Sequence, residues 1–208
     1  MKRDYVKIAE IGTYIGFAFL MASVTAVVFH RNLALEQQSK IVRSKSDAAI
    51  LIAALNLRKG QSAIIEFMDF ECPPCRMSYP KIKAQLSKCP LSVFREVNFP
   101  LPMHPFAFGA AVASEIAREG GKHDEVFEYL FSGKVALDEK SMNTYLRSRK
   151  LPGNVGAKES ADHEKKVKDD IALGKALNIN STPTVMVLSR DGTLTEVRNL
   201  DLIPELLN

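Results

Sequence analysis

The sequence lacks internal repeats, low-complexity tracts and any cluster of like charges. Its formal net charge at pH 7 is +4, and the basic residues are spread along the chain. A charge this small and dispersed indicates neither nucleic-acid binding nor a polybasic membrane-binding patch. With 208 residues, of which 46% are hydrophobic, the chain has the size and composition of one globular domain with an appendage.

Cysteine is scarce too, and two of the three cysteines lie close together. Cys72 and Cys75 form a C-x-x-C motif, whereas Cys89 has no such neighbour. A cysteine outside a pair is most often a small buried hydrophobic residue. We therefore expect a structural role for Cys89, with a second redox role as the alternative.

The motif follows a short apolar segment. Residues Ala63 to Phe70 are mostly apolar and rich in Ile and Phe, and the segment is too short for a typical helix. This composition is typical of a central strand that is covered on both faces. One acid, Glu66, interrupts it. We expect this strand to lead directly into the C-x-x-C motif.

A helical pattern begins at the motif. Side chains suited to a buried face recur at intervals of four, three and four residues, at Cys75, Tyr79, Ile82 and Leu86. This spacing places them on one face of a helix that begins near Cys72. The residues between the cysteines, Pro73 and Pro74, are tolerated there because the first N–H groups of a helix have no intrahelical acceptor.

The start of a helix favours a charged sulfur. Its unpaired N–H groups and the helix dipole place partial positive charge there, which stabilises a thiolate relative to a thiol. Cys72 is therefore the candidate nucleophile. Cys75 lies one turn further along, close enough to form a disulfide and better shielded, which suits a resolving thiol.

Four features of the sequence occur together. The C-x-x-C motif follows an apolar strand, and Glu66 lies six residues before Cys72. Pro80 follows Cys75 by five residues, and the sequence Ser-Thr-Pro-Thr at 181–184 precedes another apolar run. Thioredoxins have a helix kink at the position of this proline and a cis-proline loop before such a run. In these features the chain resembles the DsbA-like disulfide oxidoreductases of the thioredoxin-fold superfamily.

The resemblance implies a fold class and a division of the chain. The fold is expected to be α/β, a thioredoxin-like fold with a helical insertion, at about 61–208. The insertion is expected at about 103–177, where turn signals separate patterns for about four helices. Ahead of this domain, we expect a transmembrane helix or signal sequence at 1–30, and a polar stalk with a short helix at 31–60.

The resemblance also implies thiol–disulfide exchange on protein substrates, performed by side chains without a metal or other cofactor. Cys72 is expected to attack the substrate and Cys75 to resolve the mixed disulfide. Glu66, desolvated beneath the pair, is expected to have a raised pKa and to exchange a proton with Cys75. Thr182 and Pro183 are expected to lie opposite the cysteines, where a cis peptide bond leaves the Thr182 backbone free to pair with an extended substrate.

Each of the last two expectations has a structural alternative. Glu66 is alternatively an acid that faces outward at a strand end. Pro183 is alternatively an ordinary loop proline in the trans form, which is the commoner isomer in folded proteins.

The N-terminal segment contains an apolar run long enough to cross a membrane. Ile11 to Phe29 is nineteen residues without a charged side chain, which as a helix spans roughly 28 Å, close to the thickness of the bilayer hydrocarbon. We favour an uncleaved anchor because apolar residues continue to Phe29. The alternative is a signal peptide cleaved near Ala26, which releases a soluble periplasmic protein.

The orientation of this segment follows from its layout rather than from its charges. Basic residues flank both ends, so the positive-inside rule does not decide between the two orientations. A short basic head before a large C-terminal domain is typical of a signal anchor. We therefore expect the domain on the periplasmic side of a bacterial inner membrane, where a membrane redox partner recycles the cysteine pair.

Two other functions are compatible with parts of the sequence. A structural zinc site would use Cys72, Cys75, Cys89 and His104, although the flanking strand and helix are atypical of a zinc knuckle. A membrane-tethered binding module would keep the fold without turnover, although the intact cysteine pair and Glu66 argue against it. The direction of exchange stays open, because oxidants, reductants and isomerases share this chemistry.

Overall fold

The computed structural model describes residues 20–31, 39–133 and 136–207 of the chain. Two compact units are present, Met1–Ile41 and Val42–Asn208. The second unit contains the sheet, the C-x-x-C motif and the predicted helical insertion.

In the first unit, residues 20–31 form a helix, α1, whose side chains are exposed. Within the described ranges, no helix is both long and apolar enough to cross a membrane. The predicted span at 11–29 lies partly outside those ranges. The membrane anchor and the alternative cleavage near Ala26 therefore stay predictions.

The second unit is built on a mixed β-sheet. The described strands are β1 (Lys40–Val42), which spans the boundary between the units, β2 (Ala63–Met68), β3 (Val93–Asn98), β4 (Thr184–Leu188) and β5 (Leu194–Val197). Strands β2 to β5 lie in the order β3-β2-β4-β5. β2 is parallel to β3 and antiparallel to β4, and β4 and β5 form an antiparallel hairpin.

Helices surround this sheet. After α1, the described α-helices are α2 (Lys45–Ala54), α3 (Pro73–Leu86), α4 (Ala107–Glu119), α5 (His123–Phe131), α6 (Glu139–Ser148), α7 (Ala161–Ala176) and α8 (Ile203–Leu207), with 3₁₀ turns at Lys158–Ser160 and Leu200–Leu202. Four of the described helices, α4 to α7, lie between β3 and β4. This arrangement confirms the predicted α/β fold with a helical insertion.

Strand β2 is central, and all of its residues are buried. Successive side chains of a strand point to opposite faces of the sheet. Ile65 and Phe67 pack on the face that is covered by α2 and the C-terminal part of α7. Ile64 packs with residues of α3 and α8 on the other face. Glu66 has the same parity as Ile64, so its side chain points toward the helix that begins at the C-x-x-C motif.

Helix α7 approaches the sheet closely at Gly174. A Cβ atom at this position would lie 2.4 Å from Cε2 of Phe99, so the helix can pack this closely only without a side chain there. The rings of Phe67 and Phe99 meet edge to face beneath it, with centroids 6.2 Å apart. This contact fixes the end of the helical insertion against the central strand.

Candidate active site

The C-x-x-C motif lies where β2 leads into α3. Cys72 is the N-cap residue of the helix, and Pro73 and Pro74 occupy its first positions. The backbone N–H of Cys72 donates to the carbonyl oxygen of Asp69, at 3.1 Å, and the N–H of Cys75 donates to the carbonyl oxygen of Cys72, at 3.1 Å. The two prolines are exposed. These observations confirm the predicted helix start.

Both cysteines of the motif are free thiols, and both are buried. Cys72 is 4% exposed and Cys75 is 0% exposed. Burial raises the pKa of the Cys75 thiol; a hydrogen bond from the backbone of Asp69 opposes this, and a hydrogen bond with Cys72 and the charge of Glu66 add to it. Cys75 therefore needs a proton acceptor before it can act as a nucleophile at neutral pH.

The loop before β4 lies against Cys72. The Cys72 thiol donates a hydrogen bond to the carbonyl oxygen of Thr182, with Sγ and O 3.3 Å apart. The Thr182–Pro183 peptide bond is cis, as the resemblance implied, and the trans alternative is wrong. The structure thus brings together two segments that are 110 residues apart in sequence.

Glu66 lies beneath the cysteine pair. Its side chain is fully buried on the central strand, so the alternative of an outward-facing acid is wrong. Burial raises the pKa of Glu66 to about 8; a hydrogen bond from Ser78 lowers the pKa, and the charge of Glu96 on β3 raises it. Oε1 accepts the Ser78 hydroxyl at 2.5 Å, while Oε2 has no hydrogen-bond partner among the described residues.

Asp69 is a residue of the site that the sequence analysis missed. Its Oδ1 accepts the backbone N–H of Glu71, at 2.7 Å. Its Oδ2 accepts the backbone N–H of Leu101, at 2.7 Å, and lies 2.7 Å from Nδ1 of His104. Asp69 therefore connects the loop that carries Cys72 to the segment before the helical insertion. The bond to the residue two positions on is typical of Asx-turns, and this local signal could have identified Asp69.

Ser78 is the second residue that was missed. It lies one turn after Cys75 and is buried among the residues of α3 that face the sheet. The predicted helical stripe did not include this position, although Ser78 lies three residues after Cys75 and residues three apart share a face of a helix. A polar residue on an otherwise apolar stripe was the available signal.

The ligands of the alternative zinc site are not brought together. No three potential ligand side chains among the described residues form a group that could hold a metal ion. Cys89 packs at the edge of a cluster that contains Ile64 and Ile82. His104 contacts Asp69 instead. The half-buried position of Cys89 agrees with the structural role that we expect for it.

A cavity of about 760 Å³ begins at Pro74, which lies between the two cysteines in sequence. Its walls come from α3 as far as Gln85, from the cis-proline loop and from residues 196–201, and they include Met77, Pro183 and Arg198. Met77 is 63% exposed.

The sequence matches the family model described as Thioredoxin over residues 58–193. The matched segment contains the C-x-x-C motif, Glu66 and the cis-proline loop.

Solved structures are similar to this chain in fold. The catalytic domain of Proteus mirabilis ScsC matches with a TM-score of 0.61 and 16% identity, and the match covers 79% of this chain and 97% of that chain. Oxidised BdbD from Bacillus subtilis matches with a TM-score of 0.56 and 25% identity, and the match covers 72% of this chain and 91% of that chain.

Curated relatives are larger proteins. The Na(+)/H(+) antiporter NhaA 1 of Mycolicibacterium vanbaalenii is 33% identical over 132 residues, which are 60% of this chain and 21% of the antiporter. The chain thus spans about a fifth of the length of the curated relatives that it matches. The similarity concerns the thioredoxin-like region only.

Proposed function

This chain belongs to the thioredoxin family, and on that premise we propose that it is a thiol:disulfide oxidoreductase that acts on protein substrates through Cys72 and Cys75. One observation carries the proposal. Two free thiols lie at the start of α3, with the Thr182 carbonyl oxygen 3.3 Å from the first sulfur and the buried Glu66 beneath them.

The first step is attack on a substrate disulfide. The Cys72 thiolate forms a bond to one substrate sulfur, and the substrate S–S bond breaks. The other substrate sulfur leaves with the electron pair as a thiolate. The product is a mixed disulfide between Cys72 and the substrate.

The second step uses Cys75 and Glu66. Cys75 gives its proton to the Glu66 carboxylate, and its sulfur then attacks the sulfur of Cys72. A Cys72–Cys75 disulfide forms, the mixed disulfide breaks, and the second substrate sulfur leaves as a thiolate. The substrate has gained two electrons and the cysteine pair has lost them. The same steps in reverse oxidise a substrate dithiol.

The electrostatics of Glu66 suit this proton transfer. A general base works best when its pKa is close to the working pH, and burial raises the pKa of Glu66 to about 8. The Cys75 thiol, whose pKa burial also raises, requires such an acceptor. Both groups are shielded from water, so the proton passes within the protein.

Substrate binding is assigned to the cis-proline loop and the adjoining cavity. The backbone of Thr182 is positioned for pairing with an extended chain. Pro183 and Pro74 both line the cavity of about 760 Å³. A substrate segment bound there has its cysteine next to Cys72.

The protein is placed outside the cytoplasm in this proposal. The segment 11–29 anchors it in the inner membrane, or is removed near Ala26, and the domain at about 61–208 faces the periplasm. After each turnover, a membrane redox partner oxidises or reduces the Cys72–Cys75 pair, according to the direction of the exchange. Fractionation of cells that produce the full chain tests this placement: recovery in the membrane fraction supports the anchor, a shortened periplasmic form supports cleavage, and full-length protein in the cytoplasm contradicts both.

Turnover of insulin disulfides tests the activity. The wild-type chain should catalyse their reduction by dithiothreitol, and Cys72→Ser should abolish catalysis because the nucleophile is lost. Cys75→Ala should accumulate mixed disulfides, which acid trapping and mass spectrometry detect. Cys89→Ala is the matched control and should keep wild-type turnover. Substrate binding without turnover by the wild-type chain would indicate the non-catalytic module instead.

A further inference from the structure

Ser78 lies between the two groups that exchange the proton. Its Oγ is 2.5 Å from Oε1 of Glu66 and 2.9 Å from the carbonyl oxygen of Cys75. Its side chain is buried, with 6% of the residue exposed. No step of the proposed exchange described above uses this residue.

The hydroxyl group cannot donate to both neighbours at once. A serine hydroxyl has one hydrogen, and a backbone carbonyl oxygen can only accept. When Glu66 is ionised, Ser78 must donate to the carboxylate, because a carboxylate also only accepts. When Glu66 is protonated, Glu66 can donate to Ser78 Oγ, and the Ser78 hydrogen turns to the carbonyl oxygen of Cys75. Each protonation state therefore has its own hydrogen-bond arrangement.

We infer that Ser78 is a positioning residue that adjusts the proton affinity of Glu66 and links the charge state of Glu66 to the helical turn that carries Cys75. The inference rests on the proposed exchange for its consequence in catalysis, but the effect of Ser78 on Glu66 itself does not. Ser78 stabilises the carboxylate that receives the Cys75 proton. Once the proton has reached Glu66, the Ser78 hydroxyl accepts a hydrogen bond from Glu66 and donates its own hydrogen to the carbonyl oxygen of Cys75.

The surroundings of Glu66 leave this role to Ser78. The titratable groups that interact with Glu66 are Cys75 and Tyr79 on α3 and Glu96 on β3. All of these are neutral or negative in their usual ionisation states, so none of them stabilises the carboxylate by charge.

The remaining neighbours of Glu66 offer no second donor. On β4, Glu66 is paired with Val185, and the sequence of β4, TVMVL, contains no charged residue. Oε2 is without a hydrogen-bond partner in the described part of the chain. The hydrogen bond from the Ser78 hydroxyl thus favours ionised Glu66, and it lowers the Glu66 pKa against the effect of burial.

The direct test is an NMR titration of the Glu66 side-chain carboxyl carbon in the full chain, with the cysteine pair reduced. Ser78→Ala should raise the midpoint by about one to two pH units, since a hydrogen bond to a charged group is lost. Catalysed exchange at pH 7 should fall by about tenfold for each pH unit that the midpoint rises, because less Glu66 is ionised.

Two comparisons separate this role from a structural one. The threonine and valine side chains have the same shape, but only threonine carries a hydroxyl group. Ser78→Thr should therefore keep the wild-type midpoint of the Glu66 titration, and Ser78→Val should raise that midpoint. Ser87→Ala is the matched control, because Ser87, the C-cap residue of α3, also donates to a carbonyl oxygen three residues back, at 2.8 Å, but is exposed rather than packed against Glu66. It should leave the midpoint unchanged.

The outcomes distinguish this inference from the proposed function. Equal midpoints for Ser78→Thr and Ser78→Val would overturn the inference, whatever the activity. A raised midpoint in Ser78→Val, combined with a wild-type chain that catalyses no exchange, would support the role of Ser78 and contradict the proposed function. Raised midpoints together with a rate profile displaced to higher pH would support both.

Discussion

Oδ2 of Asp69 lies 2.7 Å from Nδ1 of His104 and also accepts the backbone N–H of Leu101. Asp69 directly follows the central strand, and His104 precedes the helical insertion. The contact therefore holds the loop that carries Cys72 against the remainder of the domain.

Removal of this carboxylate should destabilise the domain and loosen the loop. Asp69→Ala leaves backbone donors of Glu71 and Leu101 without partners, and each such loss costs about 1 to 3 kcal/mol. Urea denaturation of the full chain measures the change in unfolding free energy. Asp124→Ala is the control, since Asp124 is 84% exposed and 3.4 Å from His123, and an exposed ion pair contributes at most about 1 kcal/mol. Equal effects of the two changes would contradict the role given to Asp69.

The stability of the protein should depend on pH through Glu66. Burial raises its pKa from 4.5 to about 8, so the folded state retains a proton that the unfolded state releases between these values. Stability should therefore fall as the pH rises through this window, by about 1.4 kcal/mol per pH unit at most. Below the window, both states are protonated and the contribution is constant.

Glu66→Gln should remove this dependence while it preserves the shape of the side chain. As the pH rises from about 5 to about 8, the unfolding free energy of the variant should increase relative to that of the wild type. Exchange near neutral pH should be slower in the variant, because no carboxylate accepts the Cys75 proton. A wild-type pH profile of the rate in Glu66→Gln would exclude Glu66 from proton transfer.

The close approach of α7 to the sheet predicts that Gly174→Ala destabilises the domain. The new Cβ would lie 2.4 Å from Cε2 of Phe99, and forced repacking of a core costs about 1 to 3 kcal/mol. Phe99→Leu provides the matched background, because it removes the ring that the methyl group meets. A double-mutant cycle by urea denaturation should show a smaller effect of Gly174→Ala in that background; additive effects would mean that the ring is not the obstacle.

The dipeptide between the cysteines predicts the reduction potential of the Cys72–Cys75 pair. Pro73 and Pro74 have no N–H to donate to the Cys72 sulfur, and no histidine lies between the cysteines, so the reduced state lacks stabilisation that other dipeptides provide. The reduction potential should lie between about −270 mV, typical of thioredoxin, and about −120 mV, typical of DsbA, and in the lower half of that interval. Equilibration with glutathione followed by thiol trapping measures it.

A substitution in the dipeptide tests this reasoning. Pro74 is exposed, so Pro74→His should be accommodated and should raise the potential, because it adds an N–H group and a group that can carry positive charge. A wild-type potential at or above about −120 mV would show that another charge compensates for the missing amides.

The sequence alone was sufficient for the features that depend on short segments. The periodicity after Cys72 predicted α3, and the apolar run predicted the buried strand β2. Such features depend on backbone geometry and on neighbours within one or two turns, so local patterns encode them. The span at 11–29 rests on a local pattern too, but it lies partly outside the described residues and stays a prediction. The cis form of the bond before Pro183, in contrast, was implied only by the resemblance to the DsbA-like oxidoreductases, because the residues by themselves favour trans.

The contacts within the site were decided only by the tertiary structure. Ser78 meets Glu66 across 12 residues, and His104 meets Asp69 across 35 residues. Both contacts depend on the register of β2 and on which face of the sheet α3 covers, because a shift of one residue in a strand would point Glu66 to the opposite face. The same packing keeps Cys89 and His104 apart from the cysteine pair and so removed the zinc alternative. Local sequence patterns contain neither the register nor the packing of distant helices, which the burial of the whole core determines.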